Sequence, residues 1–193
     1  MKIGEVLEAG TGGFLAECYE LYSAPAFGSL VRSSTGNLDV FAVVENTVTA
    51  SREPGRLPVA LGKHETSQED IFNSHPQVAK LLRTCFKALV VGYREQNVIK
   101  HCLPYHTVRI HGFVFQCENS EVREFSRELD FLDLLVTAST ESPRDELISA
   151  CIRQMSLVQE NQLEFLVTAG KTLTRLLLYE NNRLNYLLRR IKP

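Results

Sequence analysis

The chain has 193 residues, 44% of them apolar, and a formal net charge of −2. Its basic and acidic residues balance both before Ser120 (11 against 12) and from it onward (10 against 11). That excludes a globally basic, nucleic-acid-wrapping surface, while the length suits one domain plus an extension with a substantial core.

Five cysteines, Cys18, Cys85, Cys102, Cys117 and Cys151, are scattered without CxxC spacing, and their odd count leaves at least one unpaired. Free thiols in a reducing compartment follow. Glutamates interrupt the N-terminal MKIGEVLEAGTGG and no apolar run spans a membrane, so the expectation is a soluble cytoplasmic protein that makes no membrane contact.

Ile3 to Leu7 and Phe14 to Tyr22 read as two strands joined by the glycine turn Gly10-Thr11-Gly12-Gly13. Phe27 to Thr49 follows as a hairpin, with Leu30 and Val31 on one arm, Ser33 to Asn37 at the reversal, and Val40 to Val44 on the other. Because VFAVV is a continuous apolar run rather than an alternation, it predicts a strand buried on both faces or closed into a small barrel. Pro54-Gly55 and Pro58 make Ser51 to Leu61 a loop or an edge strand.

Helical chemistry then interrupts the strands near residues 67–86. Thr66-Ser67-Gln68-Glu69-Asp70 offers a cap with acids in the first turn, and His75-Pro76 restarts a second short helix carrying Val78, Leu81, Leu82 and Cys85. Ala88 to Tyr93 returns to a short strand, and Val108 to Phe115 supplies a last strand or extended crossing.

Between these lies the metal candidate: His101, Cys102, His106, His111 and Cys117. His106 and His111 have the His-x₃₋₅-His spacing of zinc sites, but no cysteine pair completes the set, so no metal or other cofactor is assigned. The nucleic-acid candidates are Arg52, Arg56, Arg94 and Lys100, a sparse set in a chain without tryptophan.

From Ser120 the period becomes helical. Val122, Phe125, Leu129, Leu132 and Val136 line one helix face, and after Ser142-Pro143 the stripe Leu147, Ile148, Cys151, Ile152, Met155 and Val158 lines a second. The third stripe, Leu166, Gly170, Leu173, Leu177, Glu180, Leu184, Leu187 and Ile191, keeps a four-three alternation. Leu166, Leu173, Leu177, Leu184, Leu187 and Ile191 are therefore the candidate interaction residues, packing either within the chain or against a second copy; Asn181-Asn182 offers a break.

Gly170-Lys171-Thr172 is a decoy for a phosphate loop, since Phe165 occupies the position of the required upstream glycine and the triplet lies inside the heptad stripe. No Gly-x-Ser-x-Gly or His-Glu-x-x-His pattern is present.

Ile3-Gly4-Glu5-Val6, Phe27-Gly28-Ser29-Leu30-Val31, Val43-Val44 and Val90-Val91-Gly92-Tyr93, in that order, make the first ~118 residues resemble the HAS-barrel. That small β-barrel is shared by HerA-type DNA-processing ATPases and the N-terminal domains of ATP-synthase subunits. The resemblance implies a stand-alone barrel without catalytic residues and without the ATPase core, serving assembly or partner docking beside a ring ATPase or DNA-processing complex. The expected architecture is α+β: a closed barrel of about six strands with a helical insertion over residues 1–118, then a unit of about three helices over 119–193. The expected function is a non-enzymatic assembly or adaptor module with a protein partner or a second copy, and no small-molecule substrate. Nucleic-acid binding and metal binding at His101 to Cys117 are the alternatives.

Overall fold

A computed structural model describes residues 1–192. Its strands are β1 (Lys2–Gly10), β2 (Gly13–Cys18), β3 (Leu30–Thr35), β4 (Leu38–Ser51), β5 (Leu82–Glu95), β6 (Val98–Lys100) and β7 (Phe113–Gln116). They form one antiparallel sheet in the order β2-β1-β7-β3-β4-β5-β6, and the further pairing of β2 with β5 closes six of them into a barrel, leaving β6 as a hairpin extension. The α+β architecture with an N-terminal closed barrel is as the sequence predicts.

The VFAVV run shows why that barrel carries helices. Val40, Ala42 and Val44 point into the barrel interior with Val6, Phe14, Val31, Phe86 and Val114. Phe41 and Val43, on the opposite face of the same strand, join Leu30 and Val91 in a second core completed by the C-terminal helices. Side chains alternate across a strand, so a strand packed on both sides must be apolar throughout.

Two loops set the hairpins. The two-residue turn Gly36-Asn37 has a positive φ only at Gly36 (60°), the II′ pattern that matches strand twist. Gln96 and Asn97, between β5 and β6, both have positive φ (49° and 63°), as a I′ turn requires.

The insertion is shorter than the predicted 67–86. Helix α1 (Gln68–Ser74) starts with the expected Ser67/Asp70 capping box, α2 (Gln77–Leu81) follows, and Leu82 and Cys85 already belong to β5. The apolar residues from Leu82 to Val90 are nearly all buried; every residue of this strand but Val91 pairs with β4, and Cys85–Leu89 pair with β2 as well, so sheet pairing overrides the helical spacing. The short strand expected at Ala88–Tyr93 is thus the second half of a 14-residue one. The last strand is also shorter than expected: Val108 is buried in the barrel core, but pairing is confined to Phe113–Gln116.

Beyond residue 118 there are five helices where three stripes were predicted: α3 (Asn119–Phe125), α4 (Phe131–Thr137), α5 (Arg144–Ser156), α6 (Gln162–Leu176) and α7 (Asn181–Arg190). The first stripe breaks after Phe125, where the freed carbonyl is bonded to His101 Nε2 (3.0 Å) and Ser126 Oγ donates to Val122 O (2.7 Å). Glu118 stands at the N-cap of α3, two residues before the helical period begins in the sequence, and shares a capping box with Glu121. The third stripe breaks at Leu177–Glu180, the option marked by Asn181-Asn182.

Barrel and helices are joined by an ionic clasp as well as by the shared core. Arg32 Nε contacts Glu121 at 2.7 Å, and Arg94 reaches Asp39 (2.9 Å) and Glu124 (3.3 Å). Both guanidiniums also lie over rings, Arg32 over Phe115 and Arg94 over Phe41.

Candidate docking site

The long strands β4 and β5 run on past the point where β3 ends. β3 pairs with β4 from Leu38 to Val43, and one more rung is made by Gly28 N–H to Val44 O (2.8 Å) and Val44 N–H to Ser29 O (3.0 Å). After a bulge at Glu45, β4 continues through Asn46–Ser51 paired only with β5. Among the described residues no main-chain hydrogen bond reaches the other side of that segment.

The register says which groups are free. Arg52 N–H donates to Leu81 O (2.8 Å), so Ala50, Val48 and Asn46 also turn their N–H and C=O groups toward β5. Thr47, Thr49 and Ser51 turn theirs outward, into the vacant neighbour position. Thr47, Val48, Thr49 and Ala50 are all exposed, Val48 to 51%. No lysine, proline or bulge interrupts Asn46–Ser51, and those are the devices by which edge strands usually resist pairing.

The two ends of this edge are polar. At one end Glu45 is buried; desolvation raises its carboxyl pKa above the usual range, opposed by the Glu141 N–H that donates to it (3.3 Å) and by Lys87. Glu141 also accepts from Asn46 Nδ2 (3.0 Å) and pairs with Lys87, which holds its own carboxyl below the ordinary value. At the other end Arg52 pairs with Glu17 at 2.8 Å. Beyond it, the Pro-rich loop and α2 enclose a hollow of about 180 Å³ lined by Leu57, Pro58, Val59, Val78 and Leu81, with Leu57 (85%) and Val59 (78%) strongly exposed.

The residues singled out in the sequence lie elsewhere. His101 is wedged between Phe125 and Phe131, its ring at 4.7 and 5.4 Å from theirs, and burial lowers its pKa against the pull of the Phe125 carbonyl. Cys102 is exposed, His106 packs on Tyr105, His111 pairs with Glu5, and Cys117 is buried, with its thiol pKa raised by desolvation. No group of three or more potential ligands forms among the described residues, so these five do not converge on a metal centre. The basic candidates are each held by carboxylates: Arg52 by Glu17, Arg56 by Glu53, Arg94 by Asp39 and Glu124, and Lys100 by Glu95.

The heptad leucines turn inward. Leu166, Leu173, Leu177, Leu187 and Ile191 are buried in the core shared with the barrel, and Leu184 packs against it. The seam is therefore satisfied within the chain. Gly170-Lys171-Thr172 lies inside α6, and the Gly10–Gly13 cluster is the β1–β2 turn.

Thr47, Thr49 and Ser51 were not singled out by sequence reasoning. Their uncharged, β-branched character reads as strand, but whether a strand has a neighbour is a property of topology. No helix among the described residues is long and apolar enough to cross a membrane. A scan against protein-family models matches none of them, and a search of the curated proteins finds no relative.

Proposed function

We propose that this protein is a non-enzymatic assembly or adaptor module that docks another polypeptide by strand addition on the open edge of β4. The observation that supports this reading is the row of outward N–H and C=O groups at Thr47, Thr49 and Ser51 on an exposed, uncharged strand. The backbone of an extended segment is the ligand that satisfies such a row. The HAS-barrel resemblance adds a setting, a ring ATPase or DNA-processing complex, in which such barrels dock partners. Chemistry at the buried thiols is disfavoured because burial pushes Cys18 up to about 11 and Cys151 up to about 12. Nucleic-acid binding is disfavoured because the candidate cations are already paired.

The test compares immobilised wild type with Thr49→Pro, followed by cross-linking and mapping of the contact. Proline at Thr49 removes an N–H that has no partner within the chain and also the hydroxyl bonded to Thr84 Oγ1 (2.8 Å), which keeps the Tyr22 N–H as a partner, so the variant's folding is checked by circular dichroism beside the capture. The expected result is a partner that cross-links beside residues 46–52 and is lost in the variant. Identical binding to both proteins would overturn strand addition at this edge.

A further inference from the structure

Resting on that docking reading, we infer that the segment received by the β4 edge is the same edge of a second copy of this chain, paired antiparallel about a two-fold axis at Thr49. The inference comes from a symmetry in the side chains. Thr47-Val48-Thr49-Ala50-Ser51 reads hydroxyl, apolar, hydroxyl, apolar, hydroxyl, a palindrome in character centred on Thr49.

In an isologous antiparallel pair the axis relates a residue to itself, so only a palindromic edge matches its copy in kind at every position. With Thr49 on the axis, Thr47 faces Ser51 of the second copy, Val48 faces its Ala50 and Thr49 faces its Thr49. Hydroxyls then meet hydroxyls on one face and apolar groups meet apolar groups on the other, both favourable cross-strand pairings.

The backbone agrees with this register. Thr47, Thr49 and Ser51 are the residues whose N–H and C=O groups point outward, and they are also the residues that would face one another. The junction then makes about six main-chain hydrogen bonds, two for each facing pair. No charged residue lies within the paired stretch, so no like charges meet. At its ends charge is complementary: Arg52 of the second copy falls opposite Asn46, whose amide already holds the exposed carboxylate of Glu141. Arg52 itself is half exposed.

The experiment is light scattering over a concentration series on the full chain, wild type beside Thr49→Pro and Val48→Lys, with circular dichroism to confirm folding. Val48 is exposed, so lysine leaves the fold intact while setting an ammonium diagonal to Arg52 of the second copy. The expected result is a wild-type mass rising to twice the 21.8 kDa of one chain, and both variants remaining at 21.8 kDa. Hydrogen exchange should show the Thr47, Thr49 and Ser51 amides gaining protection with concentration, while those of Val48 and Ala50, bonded to β5, do not change. A wild type that stays at the single-chain mass overturns self-pairing, as does a dimer that persists in both variants. In either case strand addition by a foreign segment is still decided by the Thr49→Pro capture comparison, so the two readings fail separately.

Discussion

Gly28 is a point of very close approach between barrel and helices, and its replacement by alanine is a sharp test of the packing. Its φ is +81°, and a Cβ built there would lie 2.6 Å from Cys151 N, 2.7 Å from Ala150 C and 2.8 Å from Ala150 Cβ. Two of these atoms are backbone of α5, which cannot rotate away. The left-handed conformation alone costs an alanine about 1–2 kcal/mol, and overpacking against the helix adds about 1–3 kcal/mol. We expect Gly28→Ala to lose about 3 kcal/mol, a drop in urea midpoint of about 1–1.5 M at an m-value of about 2–3 kcal/mol/M.

Gly36→Ala is the internal control. Its φ is +60° but nothing lies within 4 Å of the added methyl, so only the conformational cost of about 1–2 kcal/mol applies. Ala150→Gly in the Gly28→Ala background should restore part of the loss, since it removes one of the three clashing atoms and leaves the backbone pair. Equal losses at Gly28 and Gly36 would refute the claim that α5 is seated directly on this glycine.

Three further outcomes are expected. Glu45 has a folded pKa raised by burial above the ordinary 4.5, so the stability it contributes is present below that value and lost as pH rises through the folded pKa. Glu45→Gln should therefore be more stable than wild type at neutral pH, with the gain shrinking as pH falls through the raised folded pKa and levelling off below about 4.5, as read by melting temperature against pH. Arg94→Ala leaves Asp39 and Glu124 without their shared cation, and should cost about 1–3 kcal/mol in denaturant titration, less at high salt. Maleimide mass labelling of the native chain should modify Cys102 rapidly and the buried Cys18, Cys85, Cys117 and Cys151 only on unfolding; rapid labelling of a second thiol would contradict the packing described.

Much of the fold could be read from local chemistry. The unbroken VFAVV announces a strand with two buried faces, and Ser67 with Asp70 announces a helix start, because in each case a short stretch carries its own physical reason. The errors fall where distant partners decide. Leu82 and Cys85 keep helical spacing yet become strand, Leu82 paired with β4 and Cys85 with both β2 and β4, and Phe125 ends a helix where a histidine 24 positions earlier bonds its carbonyl. The candidate site was illegible for the same reason: Thr47 to Ser51 is plainly a strand, but its vacancy follows from β3 being 6 residues long where β4 is 14. The histidines and heptad leucines drew attention by type and spacing; the fold packs His101 and the leucines and leaves His106 and His111 at the surface.

The strand that serves two cores also constrains how the chain reaches this state. β7, which closes the barrel, ends at Gln116, so synthesis must pass that residue before the ring can shut. Even then Leu30, Phe41, Val43 and Val91 remain uncovered on its outer wall until α3–α7 arrive from Asn119 onward. A chain stopped at the barrel would present a greasy stripe to its surroundings, and the C-terminal helices are what cover it.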